Sequence, residues 1–260
     1  MYQWNPEDYN KNSEEQYKWA KELLSKLDLK GSERVLDIGC GDGKITAEIA
    51  KQLPQGSVLG IDNSDEMIHF ARNNFPPNIF PNLTFDIMDA RNSKFINEFN
   101  VVFSNAALHW VTDHLPLLEG IKRSLKSPGK ILLQMGGKGN VVSFLTILQA
   151  ALESKKWRKY FTGFSFPYGF FSDYEYRKML NNAGIKAKRV ELIPKVMAQQ
   201  GKEGLTAWVR TTCLPYTQRV PEELRNEFIN DTVEKYICNY PLDDGFVHID
   251  AVRLEIEAET

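Results

Sequence analysis

Ten residues constrain this chain more than any others: Arg34-Val-Leu-Asp-Ile-Gly-Cys-Gly-Asp-Gly43. Val35, Leu36 and Ile38 make a short apolar run, the pattern of a parallel strand buried on both faces. It runs into glycines at alternate positions, Gly39, Gly41 and Gly43. A helical pattern follows at once, with Ile45, Ile49, Ala50 and Leu53 on one face. A strand that turns through glycines into a helix N-terminus offers a polar ligand site, because backbone N–H groups there lack intrahelical partners and are expected to point outward.

The spacing separates two ligand classes. A dinucleotide fingerprint reads G-x-G-x-x-G and sets a pyrophosphate on the helix N-terminus. Here the pattern is G-x-G-x-G, and Lys44 holds the place of the third glycine. Asp37, two residues before the first glycine, would repel a pyrophosphate. A carboxylate there suits a ligand carrying an ammonium and a sulfonium, so the loop is read as a site for S-adenosylmethionine (SAM), with S-adenosylhomocysteine as product. The plainer alternative is a glycine turn with no ligand. Cys40 sits where a nucleophile could stand, and is read instead as a small residue that lets the ligand approach.

The remaining composition mostly excludes. With 260 residues, 42% apolar and 25% charged, the chain can bury a full core. A net charge of −2 gives no global electrostatic reason to expect nucleic acid. Cys40, Cys213 and Cys238 contain no C-x-x-C pair, so neither a disulfide framework nor a metal site follows, and a reducing compartment is expected. The N-terminus lacks the basic and apolar regions of a signal peptide, and no apolar run reaches spanning length. The expectation is a cytoplasmic protein without a membrane partner; its oligomeric state does not follow from sequence.

Taken in order, Trp4-Asn-Pro-Glu-Asp-Tyr9 reads as an aromatic entry segment whose proline argues against an early helix. A helix is expected from near Ser13, with Trp19, Leu23, Leu24 and Leu27 on its packed face. Tyr9 and Gln16 upstream are either a solvated first turn or a lid over the ligand. Ser57-Val-Leu-Gly-Ile-Asp62 is a second buried strand, and Asp62 falls where such folds place an acid on a ribose diol, with Asn63 beside it. Ser64 caps the next helix, and Met67 is either an adenine contact or ordinary core. A third strand ends at Asp89, next to Ala90, where a carboxylate could accept from the adenine amino group. The fourth is Phe99–Asn105, and the fifth, Lys130–Met135, follows the turn Ser127-Pro-Gly129. Gly39, Asp62, Asp89 and Asn105 thus fall together at the carboxyl edge of a doubly wound parallel sheet, the edge where such sheets bind ligands.

Asp37 to Gly43, Asp62, Asp89 and the Pro-Gly before strand five resemble the class I SAM-dependent methyltransferases over residues 34–136. That resemblance implies a seven-stranded Rossmann-like α/β sheet in a single domain over 1–260, with the SAM-binding core at 34–136 and a helical cap and substrate region within 137–240. Within the family, Phe103-Ser-Asn-Ala-Ala-Leu-His-Trp110 is similar to the segment of trans-aconitate and juvenile hormone acid methyltransferases. Trp4-Asn-Pro-x-x-Tyr9 resembles the former. Tyr9, Ser13 and Gln16 resemble the latter, where a glutamine and a tryptophan at the positions of Gln16 and Trp110 serve the substrate carboxylate.

Beyond Asn140, helices are expected over 141–153, 172–183, 205–212 and 222–240, the last with Leu224, Phe228, Val233 and Ile237 on its apolar face. Extended chain is expected over 186–196, with a closing strand over 246–257. The aromatic-rich stretch from Trp157 to Phe171 is either the lining of an acceptor pocket or the shell of a second small core.

Methyl transfer from a sulfonium is an in-line displacement, so alignment and exclusion of water can supply most of the acceleration. A carboxylate acceptor arrives ionised at neutral pH and needs orienting donors rather than a base; Gln16, His109 and Trp110 each own one. The resemblance to carboxyl methyltransferases implies a small carboxylic acid as the partner. For a hydroxyl, nitrogen or carbon acceptor, His109 would be the base. A nucleic-acid amino methyltransferase would carry an Asn/Asp-Pro-Pro-aromatic turn where this chain has Ser104-Asn-Ala-Ala107. A SAM-binding protein without turnover stays open.

Overall fold

Helices open the chain. The computed structural model describes residues 2–260, and in it α1 (Pro6–Asn12) and α2 (Glu14–Leu24) precede the first strand. The first of these corrects the expectation drawn from the proline. Pro6 is the first helical residue, where its missing N–H leaves no bond unmade, and the Asn5 side chain caps the turn by accepting from the Asp8 N–H at 3.0 Å.

The chain then alternates strand and helix: β1 (Arg34–Ile38), α3 (Lys44–Lys51), β2 (Ser57–Asp62), α4 (Asp65–Asn74), β3 (Leu83–Ile87), β4 (Phe99–Asn105), α5 (Leu115–Ser124) and β5 (Leu125–Gly136). After it come α6 (Val142–Leu152), α7 (Asp173–Asn182), β6 (Lys186–Gln200), α8 (Gly201–Thr212), α9 (Leu214–Thr217), α10 (Glu222–Asn239) and β7 (Phe246–Glu259). One seven-stranded sheet results, in the order β3-β2-β1-β4-β5-β7-β6. The first five strands pair in parallel and β7 lies antiparallel to β5. The order moves outward from β1 to β3 and then restarts at β4. The carboxyl ends of β1 and β4 therefore flank the switch point where such sheets open a ligand crevice.

β5 is longer than the periodicity suggests. Its register against β4 shifts between Phe99 and Val101, which carries Ser127-Pro128-Gly129 within the strand's span rather than before it.

β1, β2 and β4 are buried on both faces, as their apolar runs require, whereas the edge strand β3 buries Leu83 and Phe85 and exposes Thr84, Asp86 and Ile87. Val35, Val58, Val101, Phe103 and Leu132 pack with α2, α3 and α4 through Leu23, Leu24, Ala47, Ile49 and Ile68. Leu36, Ile61, Val102, Ile131 and Leu133 pack with α5 and α7 through Leu117, Ile121, Tyr176 and Leu180. Burying one such side chain contributes about 1.5–3 kcal/mol, so no single helix is dispensable.

The chain divides into two compact units. The larger holds Gln16–Lys138, Tyr168–Ile193 and Arg253–Thr260; the smaller holds the residues up to Glu15, Gly139–Pro167 and Pro194–Val252. Within the smaller, α10 buries Phe228, Ile229, Thr232, Val233 and Tyr236, whereas Leu224 and Ile237 are only half-buried, so its packed face is turned from the expected one. Phe144 meets Trp208 at 4.9 Å, and Trp157 meets Phe228 at 5.3 Å. The aromatic-rich stretch is split at the boundary. Trp157, Phe161 and Phe164 belong to this small core, while Tyr168 and Phe170 belong to the larger unit.

Candidate active site

The glycine loop after β1 takes left-handed backbone angles at Gly39, Gly41 and Gly43, with φ of 73°, 53° and 82°. Two of the three are required by packing. A Cβ on Gly39 would lie 2.1 Å from that of Ala107, and one on Gly43 would lie 2.8 Å from Ala71 and Phe85. Gly41 differs, since a Cβ there would meet nothing within 4 Å. The middle glycine borders open space.

The loop's amides correct the expectation that they point outward. Gly39 and Cys40 both donate to the Ile61 carbonyl, at 2.7 and 3.0 Å, and Gly43 donates to the Cys40 carbonyl. Gly41 donates to Asp62 Oδ2 at 3.0 Å, and Lys44 to Asp42 Oδ1 at 3.2 Å. Five donors that could have held a phosphate are committed to the chain itself. What remains beside Gly41 is acidic, which suits a cation.

Asp37 is 2% exposed and accepts from the Thr46 hydroxyl at 2.7 Å. Burial, with a smaller contribution from nearby Asp62, pushes its carboxyl up to about 7, against the opposing effect of the Thr46 bond. Thr46 carried no motif, but it lies on the first turn of α3, facing back at β1. Asp62 accepts from the Gly41 amide on Oδ2 and the Ser64 amide on Oδ1 at 2.9 Å, with the Asn63 amide adding to them, and its two oxygens, with about four lone-pair sites, keep acceptor room for hydroxyls. Burial raises its pKa as well. Asn63 is exposed beside it, and Met67 is 3% exposed on the packed side of α4.

Cys40 is buried in the core, its thiol against Gly60, and burial pushes that thiol well up, so it is no nucleophile. Asp89 is held by Arg91 and caps the short turn Ala90–Asn92, an engagement that holds its carboxyl below the usual range.

At the end of β4, Asn105 donates through Nδ2 to the Gln16 carbonyl at 3.4 Å. Its Oδ1 is buried without a partner, as is the Oε1 of Gln16. Across the β4–β5 pair from Asn105 lies Gln134, which donates to Glu255 at 3.1 Å and leaves its own Oε1 likewise unsatisfied. Buried carbonyl oxygens without donors are rare in proteins. Three of them, on α2, β4 and β5, mark places where the chain does not satisfy itself.

Just beyond β4, the turn Leu108–Trp110 carries the other two expected residues. His109 Nδ1 accepts from the Gly136 N–H across a long 3.5 Å, so the ring proton resides on Nε2. Burial, and then the positive charge of Arg253, hold its pKa well below the ordinary histidine range. The ring stays neutral at pH 7, with Nε2–H as a donor. Trp110 packs edge-on to Tyr168 at 5.2 Å, and Tyr168 stacks on Phe170 at 5.0 Å. These two aromatics from beyond Pro167 complete the wall of the turn.

A methyltransferase-domain family model matches residues 29–184. The chain belongs to the class I SAM-dependent methyltransferases. It is 30% identical to a trans-aconitate 2-methyltransferase of Deinococcus radiodurans over 84% of this chain and 83% of that one. It is 32% identical to an uncharacterized methyltransferase of Schizosaccharomyces pombe, covering 80% of each. A SAM-dependent methyltransferase structure from Aquifex aeolicus shares the fold at a TM-score of 0.54 and 19% identity, over 72% of this chain and 92% of that one. The methyltransferase signature thus spans the glycine loop, Asp62 and the Leu108–Trp110 turn in one matched segment.

Proposed function

We propose that this methyltransferase binds SAM at the glycine loop and methylates the oxygen of a small carboxylic acid. The cofactor fits the residues present. The open side of Gly41 gives it room, Asp62 has lone pairs for a ribose diol, and the unsatisfied Asn105 Oδ1 suits an ammonium. SAM supplies an electrophilic methyl group on a sulfonium, which leaves as a neutral thioether. Structures of a phosphoethanolamine N-methyltransferase and a geranyl diphosphate C-methyltransferase on this fold hold S-adenosylhomocysteine.

One observation carries the acceptor reading: His109 is a neutral donor whose Nδ1 is already occupied. A hydroxyl or amine would need a group there to take its proton. A carboxylate needs only donors that orient one oxygen in line with the methyl group. The His109 Nε2–H, the Trp110 indole and the Gln16 amide, which turns about its last bond to offer either oxygen or NH2, are that set. Relatives named as trans-aconitate methyltransferases support the same class. The test is transfer of label from methyl-labelled SAM to a panel of small carboxylic acids beside their primary amides. Label in base-labile products from the acids alone is expected. Label found only on amine or phenol acceptors would overturn the reading.

A further inference from the structure

The turn bearing His109 and Trp110 is short, and the reason it holds its angle lies in a second histidine that the chemistry above does not use. His114, 1% exposed, stands just before α5. Its Nε2 lies 2.9 Å from the Leu108 carbonyl and 3.0 Å from the Val111 carbonyl. Both partners only accept, so Nε2 carries the proton and bridges the two ends of the turn. That fixes Nδ1 as an acceptor, and it takes the hydroxyl proton of Tyr176 at 3.1 Å. Tyr176 is fully buried on α7, and Phe171 packs edge-on to His114 at 4.8 Å.

We propose that His114, locked as its Nε2–H tautomer by Tyr176, is a positioning residue that sets the orientation of His109 and Trp110 toward the methyl acceptor. Backbone bonds alone do not fix a three-residue turn. The turn itself makes two, Trp110 N–H to Ala107 and Val111 N–H to Leu108. His114 ties both ends to α5 and, through Tyr176, to α7, elements of the packed core. Gly169 fits the same scheme. Its N–H donates to the His109 carbonyl at 2.8 Å, and a Cβ on it would strike the Val111 carbonyl at 2.3 Å. Any side chain there would push the His114-held end of the turn aside. The brace acts on acceptor alignment: the His114 ring bonds join it to Leu108, Val111 and Tyr176, whereas Asp62 is held by the Gly41 and Ser64 amides.

The inference rests on the acceptor role given to His109 and Trp110, and the experiment separates the two. Tyr176→Phe removes one hydroxyl and keeps the buried ring; His114→Gln keeps an amide N–H able to reach a carbonyl. The assay uses whichever acceptor the wild-type enzyme methylates, acid or not, beside SAM binding by calorimetry and side-chain histidine nitrogen spectra. Wild type should show His114 as the Nε2–H tautomer. Tyr176→Phe should lower kcat/KM for the acceptor about five- to tenfold, the loss expected from one hydrogen bond. It should leave SAM affinity within about twofold, and shift the His109 ring and Trp110 indole signals. His114→Gln should retain more activity than His114→Ala. Unmoved His109 and Trp110 signals in a folded Tyr176→Phe protein would overturn the brace, with or without a known acceptor. So would SAM affinity falling in step with turnover, which marks a general structural role.

Discussion

Replacing Asp62 by alanine should weaken SAM binding far more than it weakens the fold, and the structure sets both magnitudes. The Gly41 and Ser64 amides hold one carboxylate oxygen each, the Asn63 amide adds to them, and the ribose diol would bring at most two further bonds. Two hydrogen bonds to a charged group are worth about 1.5–3 kcal/mol each, or about 3–6 kcal/mol together. At about 1.4 kcal/mol per decade this is a loss of about a hundred- to ten-thousand-fold in affinity. The fold loses acceptors for the Gly41 and Ser64 amides, about 1 kcal/mol apiece. It also sheds a carboxylate whose raised pKa shows that burial disfavours its charge, an opposing gain. The net should stay under about 2 kcal/mol, a fall in Tm of less than about 8 °C. Asparagine is the worse probe, because its NH2 would face one of the two amides. Isothermal calorimetry reads the affinity and circular dichroism the fold. A folded Asp62→Ala protein that binds SAM within about threefold of wild type would refute the ribose assignment.

Three further outcomes follow from the same geometry. Gly41→Val should abolish SAM binding with a stability loss of only about 1–2 kcal/mol, since its side chain enters open space at a cost in backbone strain, whereas Gly39→Ala should unfold more readily through its clash with Ala107; thermal melts beside SAM titrations compare them. Asp37, raised from 3.8 to about 7, binds a proton in the folded state that the unfolded chain has released, so stability without ligand should fall as pH rises from about 4 to about 7 and level off above. A cationic ligand draws that proton off, so calorimetry in buffers of different ionisation enthalpy should show proton release on SAM binding below pH 7, absent in Asp37→Asn. Gln16→Ala and Trp110→Phe should each lower acceptor turnover about tenfold in rapid-quench assays with SAM affinity held, less than the roughly hundredfold typical of a lost donor because the acceptor's charge is being neutralised.

What could be read from the sequence was local. The apolar runs, the glycine spacing and the acids at strand ends are short-range signals, and they placed β1 to β4 and their shared carboxyl edge correctly. Pro6 misled because a proline that breaks a helix interior also starts one, and only the capping Asn5 tells the two apart. The outward amides misled for a different reason. Whether Gly39, Cys40 and Gly41 have donors to spare depends on the register that sets Ile61 and Asp62 beside them, which no local pattern encodes. The partners of the Leu108–Trp110 turn lay further off. Tyr168, Phe170 and Tyr176 stand about sixty residues from the histidines and tryptophan they meet, and nothing in their own neighbourhood marks them. The apolar face of α10 shifted because packing in the smaller unit, rather than strict periodicity, chose which residues to bury.

That the acceptor arrives ionised, and that His109 donates rather than abstracts, is tested most directly by the pH–rate profile of the wild-type enzyme with its best acceptor. Burial and Arg253 hold the His109 pKa well below its ordinary range, and Gly136 occupies Nδ1. From pH 5 to 9, with SAM saturating, kcat/KM for the acceptor should fall only at the acid end, as the acceptor carboxylate itself protonates, and His109→Gln should lower it without changing its shape. A rate that climbs with a single histidine-like pKa in wild type, and loses that dependence in His109→Ala, would contradict the assignment and make His109 the base.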